Sequence, residues 1–364
     1  MKKRNLLFTF YFFIFMSLLF FCKPHIFTVS FNNVLNYYGF TTAEKKKAFR
    51  YLLEQASTVN EPLQIPFSKT QHDIEIVKNI AFIVKKTQEQ FVQRNFQSQK
   101  AQERWQVAPP AWIMLDQNTI LNSLQELGMI DAIKQKTTQT DALCILGSTG
   151  PDIKKRIKYA LALIKNETKP QAIILLAGQR FVTEHIDGSK KKLKKIARCF
   201  ALPAWQKLTE THLIAYYYKK SFLYKHQIPD FIIDTPENNN TRPTTETTLI
   251  KLSEWLQEHP TIKHITFISN QPYVHYQQAV IDFVCKKHNI NIQYQVVGPK
   301  ASSKNSLSCI IESLQGLGSY LWAATPVLLL EIGIKEIDNS LLEAYAHNNS
   351  MQMFLVSHFE YTNQ

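Results

Sequence analysis

The sequence predicts an α/β protein with a Rossmann-like open parallel sheet of about five strands and helices on both faces. From residue 141 onward, short apolar runs alternate with stretches of helical spacing, a pattern typical of βαβ units. The composition agrees, because 45% hydrophobic and 20% charged residues over 364 positions allow a sizeable core. Glycine is scarce, with 10 residues, which argues against a glycine-rich dinucleotide-binding loop.

The elements of this domain follow from the apolar runs and the polar segments between them. We expect strands at residues 142–146, 172–176, 231–233, 264–269 and 292–297. We expect helices at residues 152–165, 203–225, 244–258, 272–288 and 303–321. Crossovers between parallel strands are right-handed, so these helices are expected to cover both faces of the sheet.

A helical region precedes the sheet, and no chemistry beyond packing is expected in it. Its helices are predicted at residues 43–56, 72–105 and 120–133. Pro109 and Pro110 interrupt the pattern between the last two. The predicted organisation is a signal segment, a helical region, the α/β domain and a C-terminal extension, at residues 1–30, 31–140, 141–326 and 327–364.

The N-terminus has the form of a membrane-targeting segment. Lys2, Lys3 and Arg4 precede an apolar run at residues 6–22, slightly shorter than the about 20 residues of a typical spanning helix. We interpret it as an uncleaved signal anchor, which keeps the N-terminus in the cytoplasm and exports the body. The alternative is a cleavable signal peptide, and cleavage near Ser30 would give a secreted protein.

The charge is strongly basic, with a formal net charge of +13. Much of it lies in lysine runs at residues 45–47, 190–192 and 194–195, which we interpret first as solvated faces. Binding to anionic lipid is the next interpretation, and nucleic acid is not an expected partner because no recognised binding motif is present. The five cysteines show no metal-ligand spacing with histidine, so no metal site is predicted, and no cofactor is identified.

The strongest indication of a site is the segment at residues 230–246. A short apolar strand runs into a polar turn, and the following helix start gathers Arg242, Thr244 and Glu246. An arginine, hydroxyls and a carboxylate at a helix start are suited to a polar ligand. Loops at the carboxyl ends of parallel strands are also where ligands usually bind.

The other strand ends carry polar groups of the same kind. The first strand leads into a possible anion-binding turn, although a simple tight turn is an equal interpretation. Gly178 follows the second strand, and Glu210 lies early in the helix predicted at residues 203–225, close to His212, which we interpret as a packed or solvated histidine. The remaining candidate ligand-binding residues are Gly147, Ser148, Thr149, Gly150, Arg156, Asn270 and Gln271.

In this order the motifs resemble the SanA/ElyC/YdcF-like family of bacterial proteins, a domain of unknown function (218). The matching pieces are Gly147 and Gly150, Arg156, Ala177-Gly178, Thr209-Glu210-Thr211, Arg242-Pro243-Thr244-Thr245-Glu246-Thr247, and Ser269-Asn270 with Gln278-Ala279. The resemblance covers residues 141–318, about half of the chain. Thr247 stands where the family usually has asparagine, and Gln278 where it usually has arginine.

The resemblance implies a membrane-linked protein of the bacterial envelope, connected with envelope integrity and cell-wall precursor metabolism. Together with the signal anchor it implies a protein of the bacterial inner membrane whose body lies on the periplasmic side. We therefore expect a pocket for a phosphate-bearing small molecule, such as a nucleotide or a lipid-linked precursor. Arg156 and Arg242 would neutralise the anion. Glu210 and Glu246 would serve as a metal or hydroxyl partner or as general acid or base, or would form salt bridges with the arginines. The alternative function is a non-catalytic, membrane-anchored interaction protein that uses its helical region.

Overall fold

The computed structural model describes residues 29–56, 73–93, 107–237, 243–301 and 306–331. Its centre is a five-stranded, all-parallel sheet, which confirms the predicted α/β class. In chain order the strands are β1 (Ala142–Leu146), β2 (Ala172–Gly178), β3 (Asp230–Thr235), β4 (His264–Ile268) and β5 (Gln293–Val297). Their order in the sheet is β3-β2-β1-β4-β5.

Ten α-helices of nine to twenty-six residues accompany the sheet within the described ranges. Those before the sheet are α1 (Val29–Tyr37), α2 (Ala43–Ala56), α3 (Asp73–Thr87), which continues as a π-helical turn (Gln88–Val92), and α4 (Gln117–Glu126). Those within or after it are α5 (Gly150–Lys165), α6 (Lys190–Cys199), α7 (Glu210–Lys219), α8 (Thr245–Glu258), α9 (Val274–Lys287) and α10 (Ser306–Glu331).

The two faces of the sheet belong to two separate cores. Along β1, Leu143 and Ile145 pack with residues of α5, α6 and α7, whereas Ala142 and Cys144 pack with residues of α8 and α9. This division follows from the alternation of side chains along a strand. Because β1 is buried on both faces, its sequence is a continuous apolar run.

The structure differs from the prediction between the second and third strands. The predicted single helix at residues 203–225 is replaced by the shorter α7, with 3₁₀ turns at Trp205–Lys207 and Tyr224–His226, and α6 was not predicted. In α6, Leu193 and Ile196 are buried while Lys191 and Lys194 are exposed, so this lysine run is a solvated helix face. Because lysines fill most positions of α6, the helical spacing of its few apolar residues is difficult to recognise in the sequence.

Helix α10 joins the helical region to the α/β domain. Leu314 and Leu317 belong to the apolar core of α1 to α4, and Ala323 of the same helix belongs to the core beneath α9. The helix extends through the predicted boundary at 326/327. No helix in the described ranges is long and apolar enough to cross a membrane, and the predicted anchor at residues 6–22 lies outside those ranges.

Glycine permits α10 to approach its neighbours closely. A Cβ at Gly316 would lie 2.8 Å from the carbonyl oxygen of Pro272, and one at Gly318 would lie 2.7 Å from Val92 Cγ2. Both distances are far inside van der Waals contact. The backbone of α10 therefore lies directly against the segment that follows β4 and against the π-helical turn.

We expect Gly316→Ala to lower the free energy of unfolding by about 1–3 kcal/mol, the typical cost of overpacking a core. Helix propensity alone predicts the opposite sign, a gain of up to about 1 kcal/mol. Urea denaturation of the full-length variant and the wild type gives the difference. An increase in stability would show that α10 does not pack against Pro272 as closely as the structure indicates.

Candidate functional site

The predicted residues of the first and fourth strands meet at one place on the sheet. In the order β3-β2-β1-β4-β5, the chain proceeds from β1 to one edge and then returns to start β4 on the other side of β1. The crevice at the carboxyl ends of these two strands is the topological switch point, where ligands of open α/β sheets bind. Residues 147–150 and 269–271 flank this crevice.

Arg156 connects the two sides of the switch point. Its Nη1 donates to the carbonyl oxygens of Leu146 (2.8 Å) and Gly147 (2.6 Å), at the end of β1. Its Nε donates to Asn270 Oδ1 at 2.7 Å, after β4. The residue is only 2% exposed. Arg156 thus ties the ends of the two strands together from the first turns of α5.

The guanidinium of Arg156 has only neutral hydrogen-bond partners among the described residues, because no carboxylate there comes within 4 Å of it. Burial lowers its pKa, and the charges of Asp152 and Glu210 oppose this effect without reversing it. A buried cation without a direct counter-ion is costly unless an anion accompanies it.

The turn at residues 147–150 is largely engaged with the protein's own carboxylates. Ser148 Oγ and Thr149 Oγ1 donate to Asp152 Oδ2 at 3.3 and 3.1 Å. The Gly150 amide, at the start of α5, donates to Asp187 Oδ1 at 3.1 Å. At Gly150 an internal carboxylate therefore occupies the place that the sequence suggested for a bound anion.

Arg180 is the centre of a buried ion network that was not predicted from the sequence. Its guanidinium binds Asp187 through two hydrogen bonds of 2.9 and 3.0 Å. It also donates to Glu210 Oε2 at 3.1 Å, and the side chains of Arg180 and Glu210 are 8% and 13% exposed. Burial lowers the pKa of Arg180, but the hydrogen bonds and charges of Asp187 and Glu210 outweigh it and raise the pKa above its ordinary value.

Arg180 and Asp187, the two network residues that were not predicted, differ in how far the sequence could have indicated them. Arg180 follows β2 at a strand end, and this position could have marked it as a candidate. Asp187 lies in an irregular loop before α6 with no motif around it, and only its contacts identify it. It also accepts the Thr183 amide at 2.7 Å, which closes its own loop.

Glu210 lies directly over the turn that follows β1. A Cβ at Gly147 would lie 2.9 Å from Glu210 Cδ, so glycine is required for this approach. The expected salt bridge of Glu210 with an arginine is present, but its partner is Arg180. The geometry therefore supports a structural role for this carboxylate.

Glu246 lies at the start of α8 and accepts a hydrogen bond from Lys287 Nζ of α9 at 3.2 Å. Both side chains are partly exposed. In the part of the chain that the structure describes, no hydrogen bond or ion pair links Glu246 to Glu210. The two predicted catalytic carboxylates thus belong to different ion pairs.

Thr244 and Thr247 form a capping box at the start of α8. The Thr244 hydroxyl accepts the Thr247 amide at 3.2 Å, and Thr247 Oγ1 accepts the Thr244 amide at 2.9 Å. A Cβ at Gly178 would lie 2.6 Å from Pro243 Cβ, so this segment packs on the end of β2. Arg242 lies outside the described residues.

Gln271 binds the helical region. Its Nε2 donates to the carbonyl oxygens of Gly128 (2.6 Å) and Asp131 (2.9 Å), in the segment after α4. Its Oε1 is buried without a hydrogen-bond partner among the described residues. The amides that follow β4 therefore hold Arg156 on one side and the helical region on the other.

His212 completes the N-terminal cap of α7. Its Nδ1 accepts the Thr209 amide at 3.1 Å and lies 2.8 Å from Thr209 Oγ1. Burial lowers the pKa of His212, and the charge of Asp234 opposes this effect. The ring also packs edge-on against Phe200. These contacts agree with the interpretation of His212 as a packed histidine.

Among the described residues, no three or more His, Cys, Asp or Glu side chains are grouped to hold a metal ion. Four cysteines fall in this part of the chain, and all four are free thiols: Cys144, Cys199, Cys285 and Cys309. Cys144 is fully buried in β1, and burial raises the pKa of its thiol far above the ordinary value.

We expect Asp187→Asn to lower the free energy of unfolding by about 3–5 kcal/mol, because it leaves the buried Arg180 with one counter-ion fewer. The matched control is Glu246→Gln, which removes a partly exposed carboxylate from its ion pair. The control should change stability by about 1 kcal/mol or less. Urea denaturation measures both, and equal effects would contradict the role of Asp187 as a buried counter-ion of Arg180.

We expect acid to weaken the α7 cap through His212. Because its folded-state pKa lies below the unfolded value of about 6.5, the unfolded state gains the proton first as pH falls. The contribution is present above that pH and is lost below it, by about 1 kcal/mol, the size of a helix cap. His212→Gln keeps an acceptor without titrating. Its unfolding free energy should depend less on pH between 7 and 5 than that of the wild type, and identical profiles would contradict the role.

Comparison of the chain with protein-family models, curated proteins and solved structures finds no match. The resemblance to the SanA/ElyC/YdcF-like family thus depends on the strand-end motifs alone. The geometry brings Gly147, Gly150, Arg156, Glu210 and Asn270 to the carboxyl ends of β1 and β4. These residues form the candidate site.

Proposed function

We propose that the switch-point site binds a phosphate-bearing small molecule, a nucleotide or a lipid-linked cell-wall precursor, in a membrane-anchored protein of the bacterial envelope. The observation that carries the proposal is the environment of Arg156. It is buried, it keeps only neutral hydrogen-bond partners, and it lies at the topological switch point of the sheet.

An anionic ligand would remove the main electrostatic cost of this arrangement. The carbonyl oxygens of Leu146 and Gly147 and the amide oxygen of Asn270 satisfy hydrogen bonds but carry no net charge. Phosphate supplies several acceptor oxygens and the missing negative charge. Arg242, predicted from the sequence, would provide the second cation.

The proposal concerns binding first, and catalysis stays a prediction. Glu210 is held by Arg180, and Glu246 by Lys287. A general acid or base must reach the proton that it transfers, and these contacts favour a structural role for both carboxylates. The membrane anchor, the periplasmic position of the body and membership of the SanA/ElyC/YdcF-like family are further parts of the proposal, supported by the sequence motifs.

The test uses three probes that share a phosphate group: uridine diphosphate, adenosine diphosphate and a polyprenyl phosphate. Binding to the full-length protein is measured by calorimetry for the wild type, Arg156→Gln and Arg242→Ala. Loss of a charge-assisted hydrogen bond costs about 1.5–3 kcal/mol, so we expect the affinity for the bound probe to fall roughly tenfold to a hundredfold. Arg198→Ala, at an exposed arginine at the end of α6, is the matched control.

Circular dichroism of Arg156→Gln checks that the buried substitution leaves the fold intact. If Arg156→Gln does not keep the fold, Arg242→Ala tests the proposal independently. Unchanged affinity in both variants, or no binding of any probe to the wild type, would contradict the proposal. Equal losses in the Arg198→Ala control would indicate binding by general charge only.

A further inference from the structure

Two lysines approach the same aromatic ring on the side of α5 away from the switch point. Lys154 Nζ of α5 lies 4.9 Å from the centroid of the Tyr217 ring, and Lys192 Nζ of α6 lies 4.7 Å from it. Tyr217 belongs to α7, so three helices contribute one residue each. Lys154 and Arg156 are two positions apart, about 200° around the axis of α5.

The two ammonium groups lack a nearby counter-ion. Within the described ranges, no carboxylate lies within 4 Å of Lys154 or Lys192. Asp187, in the adjoining loop, is already bonded to Arg180, Gly150 and Thr183. The side chain of Lys192 is the main cause of a lowered pKa at Lys154, and burial adds to it. Two like charges therefore lie over one ring, with no carboxylate beside either of them.

The hydroxyl group of Tyr217 is a second, independent observation at the same place. Tyr217 is 8% exposed, and its buried Oη has no hydrogen-bond partner in the part of the chain that the structure describes. Buried hydroxyl groups are normally hydrogen-bonded. Oη lies close to the start of α5, because a Cβ at Gly150 would be 3.3 Å from it.

We propose that Lys154, Lys192 and Tyr217 form a binding site for a phosphate-class oxyanion, separate from the site at Arg156. Two ammonium groups and one hydroxyl can donate to different oxygens of one phosphate, whose charge removes the repulsion between the lysines. The anion is either a soluble phosphate or the phosphate monoester of a lipid headgroup. This inference goes beyond the proposed function and does not depend on it.

The first measurement titrates inorganic phosphate into the full-length protein while an acylating reagent modifies its lysines. Mass spectrometry then gives the acylation rate at each lysine. The lowered pKa makes Lys154 reactive, and a bound anion raises that pKa, so phosphate should slow acylation of Lys154 and Lys192 at least threefold. Lys158, exposed on the same helix, is the internal control and should not change.

The second measurement compares variants by calorimetry with inorganic phosphate. Lys154→Ala and Lys192→Ala should each weaken binding about tenfold or more, as expected for a lost charge-assisted hydrogen bond. Tyr217→Phe keeps the ring and should weaken binding about threefold. Lys195→Ala, at an exposed lysine of α6, should have no effect. Arg156→Gln should leave phosphate protection of Lys154 unchanged, which separates this site from the proposed one.

A third arm distinguishes the sources of the phosphate. Vesicles of phosphatidylcholine with and without phosphatidic acid are tested for protection of Lys154, with the same variants. Protection by inorganic phosphate supports a soluble anion, and protection only by phosphatidic acid supports a lipid headgroup. Absence of protection in both arms, or protection that persists equally in Lys192→Ala, would refute the site.

Discussion

The buried contact of Arg180 with Asp187 and Glu210 is the interaction on which the strand-end architecture depends. Arg180 follows β2, Asp187 lies in the loop before α6, and Glu210 begins α7. Asp187 also accepts the amide of Gly150 at the start of α5. One guanidinium thus fixes the relative positions of three helix starts and a strand end. Removing either carboxylate lowers the stability of the fold, because the buried charge of Arg180 would then be poorly compensated and poorly solvated.

This network determines what kind of site the switch point can form. Glu210 and Asp187 compensate Arg180, whereas Arg156, on the other side of the turn at residues 147–150, has only neutral partners. The two arginines therefore differ in role, although both are buried at strand ends. The helical region shares this edge of the sheet, since Gln271 binds the carbonyl oxygens of Gly128 and Asp131. Helix α10 also belongs to both the core of the helical region and the core of the α/β domain. The helical region therefore helps to hold the site residues in place.

Much of the fold could be predicted because local pattern and tertiary environment agree. β1 and the helix Ala43–Ala56 have the predicted bounds. In a strand buried on both faces and in an amphipathic helix, the spacing of the apolar residues shows which positions are buried. The prediction differed between β2 and β3, where the lysine-rich helix α6 was not predicted and the helix predicted at residues 203–225 is shortened to α7. In the candidate site, Gly147 and Arg156 were predicted from their places after β1. Asp187 was not, because an irregular loop gives no period from which a contact partner can be inferred.

By itself the sequence determined the alternation of strands and helices, the parallel sheet and the strand ends as the place of the polar residues. Each of these follows from hydrophobic spacing and from the short polar turns between elements. Only the tertiary structure decided which charges meet: Arg180 with Glu210, Asp187 with the start of α5, and Lys154 with Lys192 over Tyr217. Such pairs join residues that are far apart in the chain. Their partners are selected by the packing of α5, α6 and α7 on one face of the sheet, which no local pattern records.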